Sequence, residues 1–247
     1  VSADDVRGKV ERVYGSVSRQ WELLIELDLV FAEAYAEYLD AAFSAAELDP
    51  HIRELLLLAH DASMTVLDQH GVDERIRRAL QLGASRREIL DVLELLSMIS
   101  THSLAIGLPL AFDPEDYGVP ESTSGGYWDA FEAPFPGVHG MMSTHTPRLF
   151  SAYRSMGKVL WRKDGLAPKW RELTLVVADL STTHLYGAGA KLHIDNARRY
   201  GATDSEIVAA VALTIPFSAN TIELGLRALS NVESAAASVS SVGPEDW

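Results

Sequence analysis

The stretch Arg171-Glu-Leu-Thr-Leu-Val-Val-Ala-Asp-Leu-Ser-Thr-Thr-His-Leu-Tyr-Gly-Ala-Gly-Ala-Lys-Leu-His193 decides the fold, because the chain writes it twice. Displaced by 118 residues, Arg53–Ile89 falls on Arg171–Ile207 with 15 of 37 positions identical. Unrelated segments of ordinary composition share roughly two or three. The identities include Arg53-Glu54-Leu55 with Arg171-Glu172-Leu173, Gly71 with Gly189, Gly83-Ala84 with Gly201-Ala202, and Glu88-Ile89 with Glu206-Ile207. Further out, Tyr35 matches Tyr153, Pro50 matches Pro168 and Gly107 matches Gly225. A period this long exceeds any solenoid repeat and predicts a duplicated small domain. The expected division is 1–118 and 119–247, at a connector over 112–126 that gathers Pro, Gly, Ser and acids without apolar period. The tail from Ala235 is expected to be loose.

Each half reads as helices, and the predicted class is all-α, two tandem copies of one helical domain. Over Trp21–Phe43 apolar residues recur at three- and four-residue spacing. His51–Leu67 and Trp170–Tyr186 are apolar nearly all round, as buried central helices are. Each reaches a glycine, and a shorter helix follows, near Val72–Leu82 and Ala190–Tyr200. Gly83 and Gly201 suit the left-handed position that ends a helix. Ser85-x-x-Glu88 and Thr203-x-x-Glu206 are capping boxes. Pro216 falls inside the last apolar run and predicts a kink. A pocket opened by that bend would make Asn220 a substrate contact.

The 247 residues carry 35 acids against 21 bases, a formal charge of −14, with no basic block. Nucleic acid and anionic lipid are therefore not expected partners. No run approaches 18 uncharged apolar residues, so no membrane span is predicted, and the acidic start lacks the layout of a secretory signal. The expected location is cytoplasmic. Cysteine is absent, which excludes disulfides, thiolate metal sites and every cysteine nucleophile. Phosphate-cradling loops, HExxH, EF-hand and GxSxG patterns are absent too. His139 and His145, six apart, read as exposed side chains of a connector.

What remains is the helix–Gly–helix corner. His184 precedes Gly187 and His193 follows Gly189, so a chain folding back at the glycines would bring both imidazoles together on facing helices. With Tyr186 at the corner, they would form a proton-transfer group titrating near neutrality. In the first half Val66 and Arg75 stand at the matching positions, which points to the second half as the working site; alternatively, Arg75 with the unmatched His60, His70 and His102 would make a second, different site. Arg75 is a candidate substrate contact. Glu172 and Glu54 sit where an acid favours the helix macrodipole; along one helix Glu172 is roughly 18 Å from His184.

The run Arg-Glu-Leu, an apolar helix, then His193-Ile-x-x-Ala-x-x-x-Gly201-Ala-Thr-x-x-Glu206-Ile resembles the carboxymuconolactone decarboxylase family, which has the AhpD-like helical fold. The same signature returns around Arg75 with its histidine replaced. The resemblance implies that Glu172 is the family's helix glutamate, part of a proton relay, and His193 the histidine of its Cys-x-x-Cys-x-x-x-His type motif. No cysteine precedes His193, so thiol peroxidase chemistry is excluded. What is left is the cofactor-free decarboxylase or lyase side of the family, acting on a small carboxylate or lactone with His193, His184 and Glu172 as catalytic residues, Tyr186, Asn220 and Arg75 as substrate contacts, and no metal. An isomerase or hydratase acting on a carbonyl compound would use the same groups, and a non-catalytic scaffold is the reading from another class. The resemblance also implies a homo-oligomer, a trimer or alternatively a dimer, with Tyr14, Trp21 and Trp128 as candidate contacts.

Overall fold

The computed structural model describes residues 2–45, 47–120 and 131–240, with side chains through residue 235. Among the described residues every regular element is helical. The chain divides into two compact units, the first from residues 2–45 with 215–240, the second from 47–214.

In the first unit, α1 (Ala3–Tyr14), α2 (Arg19–Leu27) and α3 (Leu29–Phe43) meet α13 (Ala219–Ser240). Val6, Val10, Trp21, Leu24, Ile25, Ala32, Ala36, Leu39 and Ala219 form its core. The single apolar run expected over Trp21–Phe43 is two helices, parted at Asp28. Its backbone leaves the helical region (φ −151°, ψ 78°), and its Oδ1 accepts the Phe31 N–H at 2.9 Å. An N-cap Asp relieves one orphan donor, which outweighs continuity of the apolar stripe. Pro216 interrupts rather than kinks: the preceding helix ends at Ala212, and a 3₁₀ turn over Pro216–Ser218 leads into α13. A ring that clashes with the preceding turn and lacks an N–H fits the first position of a new turn better than a helix interior. α13 runs through Ala235, where a loose tail was expected, to Ser240. Residues beyond 240, part of the connector and Trp128 lie outside the described residues.

The second unit holds α4 (Pro50–Asp61), α5 (Gln69–Gln81), α6 (Arg86–Leu96), a 3₁₀ turn over Ser97–Thr101, α7 (His102–Ala111), α8 (Val138–His145), α9 (Pro147–Leu160), α10 (Pro168–Asp179), α11 (Gly187–Arg199) and α12 (Asp204–Ala212). Helix starts at 29, 50, 69 and 86 recur at 147, 168, 187 and 204, the 118-residue offset of the sequence identities. α4 and α10 pack together at the centre with Leu55–Ala59 and Leu173–Ala178 all buried, Thr174 being the polar member of the second run. Gly83 (φ 98°) and Gly201 (φ 88°) end α5 and α11 in the left-handed conformation, and both capping boxes form.

The compact units do not follow a 1–118/119–247 cut. The last helix of the first half, α7, packs through Ala105 on Phe135, Val138 and Met142 of the second half. Its counterpart α13 packs through Ala219, Ile222 and Leu226 on the front helices of the first half. Each half thus lends its final helix to the other, and residue 118 falls inside the second unit. Two helical stretches, Arg86–Ala111 and Asp204–Ala235, have the length and hydropathy of a membrane span, against the sequence expectation; 39% of the most apolar window of each is buried in the protein. Core helices of soluble proteins pass the same test.

Candidate active site

α10 and α11 are antiparallel arms joined by a tight corner over residues 180–186. The chain does not reverse at the glycines. Leu185 takes the left-handed backbone (φ 49°), as Leu67 does in the first half (φ 51°), and the Tyr186 N–H closes on the Asp179 carbonyl at 2.7 Å. Gly189 lies in the first turn of α11, where a Cβ would strike the Asp179 carboxylate and the Tyr186 ring.

The hairpin removes the difficulty of Glu172's distance. Glu172 lies eight residues before the corner and His193 seven after it, so they face one another across it. His193 Nδ1 stands 2.7 Å from Glu172 Oε2, with both residues buried. Burial pushes the Glu172 carboxyl above its usual range, against the His193 hydrogen bond that lowers it. For His193, burial disfavours the charged ring, but the Glu172 hydrogen bond and the charges of Glu172 and Asp179 outweigh it and raise the pKa. Both shifts favour a proton shared across this contact, with Nδ1 donating to the carboxylate.

His193 opens onto a cavity of about 280 Å³. Aromatic rings from Phe131, Phe135, Tyr153, Trp161, Tyr186 and Tyr200 line it with Leu95 and Met98, and its polar groups include His193, His102, Thr101 and, on α9, the exposed Lys158.

His184 does not pair with His193. Its Nε2 lies 2.9 Å from His102 Nδ1, with the two rings nearly parallel and their centroids 5.2 Å apart. Tyr186 packs on His102 at 4.1 Å, and His102 Nε2 is 3.6 Å from Asp179 Oδ1. His102 and Asp179 both feel the charge of His193, and so link the two expected histidines. Burial, then His184 and His193, push His102 down to about 4. Burial pushes Asp179 up to about 7 against the pull of His193, and Tyr186 up to about 12. Neither Asp179 oxygen, nor the Tyr186 hydroxyl, has a hydrogen-bond partner among the described residues. His102, Asp179 and His184 each offer one donor atom within 4.8 Å of the others, the arrangement here that suits a metal.

Two expected substrate contacts fall elsewhere. Asn220 belongs to α13 in the first unit and does not line the cavity. At the 118-residue offset its partner is His102, so the bend singled out the matching position in the wrong half. Arg75 does not reach the cavity either: it is buried, with NH1 3.2 Å from Glu54 and Nε 3.4 Å from Asp61. It is the first-half counterpart of His193, turned into an ion pair. His139 is not an exposed connector side chain but fully buried on α8, with Nδ1 2.6 Å from Glu132 Oε1 and its ring stacked on Phe131. His145 is exposed, as expected, and bonds Tyr117 Oη at 2.7 Å. Tyr186 lines the cavity as expected. The sequence named His102 only for a separate site with Arg75, His60 and His70, whereas it lines this cavity; Asp179 and Lys158 were missed, and the recurrence of Asp61 at 179 was a signal for the first of these.

The model of the Carboxymuconolactone decarboxylase family matches residues 147–230, which span α9 to α12 and the start of α13. A crystal structure of a candidate gamma-carboxymuconolactone decarboxylase subunit from Burkholderia xenovorans LB400 is similar over nearly its whole length. It is 31% identical with a TM-score of 0.83, covering 96% of this chain and 99% of that one. No curated protein matches the chain.

Proposed function

Because the chain belongs to the carboxymuconolactone decarboxylase family, we propose that it is a carbon–carbon lyase that removes CO2 from a small unsaturated carboxylate or lactone acid. The observation that carries this reading is the buried Glu172–His193 pair opening into the aromatic-lined cavity. A partly enclosed, mainly apolar hollow with a few convergent polar groups is the setting of small-molecule chemistry rather than of a scaffold.

The chemistry asks for two things. Breaking the bond to the carboxyl carbon releases CO2 and leaves its electron pair delocalised into the lactone carbonyl. That oxyanion needs a donor, and the carbon needs a proton. The His193 imidazolium supplies the proton to carbon, and Glu172 keeps the ring charged and aimed. Tyr186 lines the cavity, and its hydroxyl, without a partner among the described residues, would donate to the oxyanion. Lys158 is the cavity's exposed ammonium and would hold a carboxylate. His184, away from the lining, acts through His102 rather than on the substrate.

The assay is CO2 release from gamma-carboxymuconolactone and related unsaturated lactone acids, with His193→Ala beside the wild type. Loss of about 10² or more in turnover on substitution is expected, the scale of general acid–base help. An isomerase or hydratase would consume substrate without CO2. That outcome, or unchanged kinetics in His193→Ala, overturns the reading. We also propose a homo-oligomer, a trimer before a dimer; exposed apolar residues Leu224, Leu229 and Val232 along α13 support it, and light scattering tests it.

A further inference from the structure

We propose that His102, His184 and Asp179 bind a divalent first-row transition ion beside the cavity. The inference does not depend on the acid–base role of His193, which is not among the ligands.

The two halves, compared position by position, carry the argument. In the first half Asp61 is answered by a fixed cation, since Arg75 bridges it and Glu54. In the second half Asp179 stands at the Asp61 position and His193 at the Arg75 position. The shorter imidazole reaches Glu172 alone. Asp179 is left fully buried with neither oxygen hydrogen-bonded among the described residues. A buried carboxylate without partners costs about 1–3 kcal/mol or more, so native proteins rarely keep one without a reason.

The neighbourhood answers with two imidazoles. His184 stands at the position matched by Val66 in the first half, and His102 at the position matched by Asn220 in the second, so neither nitrogen donor recurs at its matching position. One donor atom from each of the three side chains lies within 4.8 Å of the other two. Ligand atoms at about 2.0–2.2 Å from one ion stand roughly 3–4 Å apart, so small side-chain rotations close the set. Two imidazoles and one carboxylate suit zinc, iron(II), cobalt or nickel, and leave positions open. Tyr186 packs against both rings and fixes their planes. His102 also lines the cavity, so an ion held there would act as a Lewis acid for an oxygen of whatever molecule the cavity takes.

The test is calorimetric titration of the chelator-treated full chain with zinc chloride at neutral pH, with cobalt(II) absorption reporting coordination. One ion per chain is expected, with ligand-field bands of cobalt bound to nitrogen and oxygen. His184→Val restores the residue of the matching position and so should fold. It should weaken zinc by more than about 10-fold, since even partners behind the ligands are worth 10–100-fold. Asp179→Asn should do the same, while His70→Ala, at an exposed histidine, should not. Absence of zinc binding by the wild type, or an affinity that His184→Val leaves unchanged, overturns the proposal. Neither result bears on CO2 release through His193, so the two readings fail separately.

Discussion

His193 Nδ1 lies 2.7 Å from Glu172 Oε2, 21 positions away in the chain, because the corner over residues 180–186 folds α11 back on α10, with Glu172 eight positions before it and His193 seven after it. Glu172 is a positioning residue: it reaches the cavity only through the ring it orients. Its effect should therefore appear in the pH profile. In the proposed reaction the active form needs His193 protonated and Glu172 ionised. His193 is raised above its ordinary 6.5, so activity should persist through pH 6.5 and fall as pH rises through the higher value. Glu172 is raised above 4.5, so the acid limb should also begin above that value. In Glu172→Gln the carboxylate's support is gone while burial still disfavours the charged ring. The alkaline limb should move below 6.5, with turnover at neutral pH reduced about 10²-fold. A profile unmoved by Glu172→Gln would separate the glutamate from the histidine.

Arg75 tests which half works. It is buried against Glu54 and Asp61 and does not line the cavity. Arg75→Met leaves two buried carboxylates short of a cation. Arg78 still holds Glu54 at 2.8 Å, so the loss should fall at the lower end of the roughly 3–5 kcal/mol for a broken buried pair. Denaturant unfolding should show that loss, while kcat/KM of the folded enzyme stays at the wild-type value. A raised KM with unchanged stability would return Arg75 to the substrate.

These two residues mark how much was readable in the chain. Helix period, left-handed glycines and capping boxes are local, and each appears where spacing puts it, with Asp28 and Pro216 as the breaks local propensity overrode. Glu172 and His193 were legible because the motif carries them. Their contact was not, since distance along one helix ignores the fold-back. His102 was visible only as an unmatched histidine of a separate site, and its place beside His184 was not. It belongs to a helix that the first half lends to the second half's site, and no periodicity reports an exchange between segments 82 residues apart, the separation of His102 from His184. For the same reason Asn220, in the helix lent the other way, drew the attention His102 merited.

Lys158 lines the cavity from α9, is exposed, and has no acidic partner among the described residues. If it receives the substrate's carboxylate, it does so as a screened, half-open contact worth no more than about 1 kcal/mol. Lys158→Ala should raise KM about 2–5-fold and leave kcat alone, because the interaction is equal in ground and transition states. The corresponding methyl ester, lacking the charge, should show no difference between variant and wild type in steady-state binding. A fall in kcat would place the ammonium at the reacting atoms instead.

Gly189 and Gly187, two residues apart in the first turn of α11, should respond in opposite directions to the same substitution. A Cβ on Gly189 would meet the Asp179 carboxylate and, at 2.5 Å, the Tyr186 ring, whereas one on Gly187 meets nothing within 4 Å. Gly187→Ala should therefore be neutral or stabilise by up to about 1 kcal/mol, the helix-propensity difference. Gly189→Ala must push Tyr186 or Asp179 aside, and overpacking of this kind costs about 1–3 kcal/mol. Denaturant midpoints measure both changes. Since the displaced groups border the cavity, Gly189→Ala should also lower kcat/KM, while Gly187→Ala should not. Equal stability for the two variants would mean that the corner has room for a methyl group, and that Asp179 and Tyr186 are not held against the helix as closely as the fold-back requires.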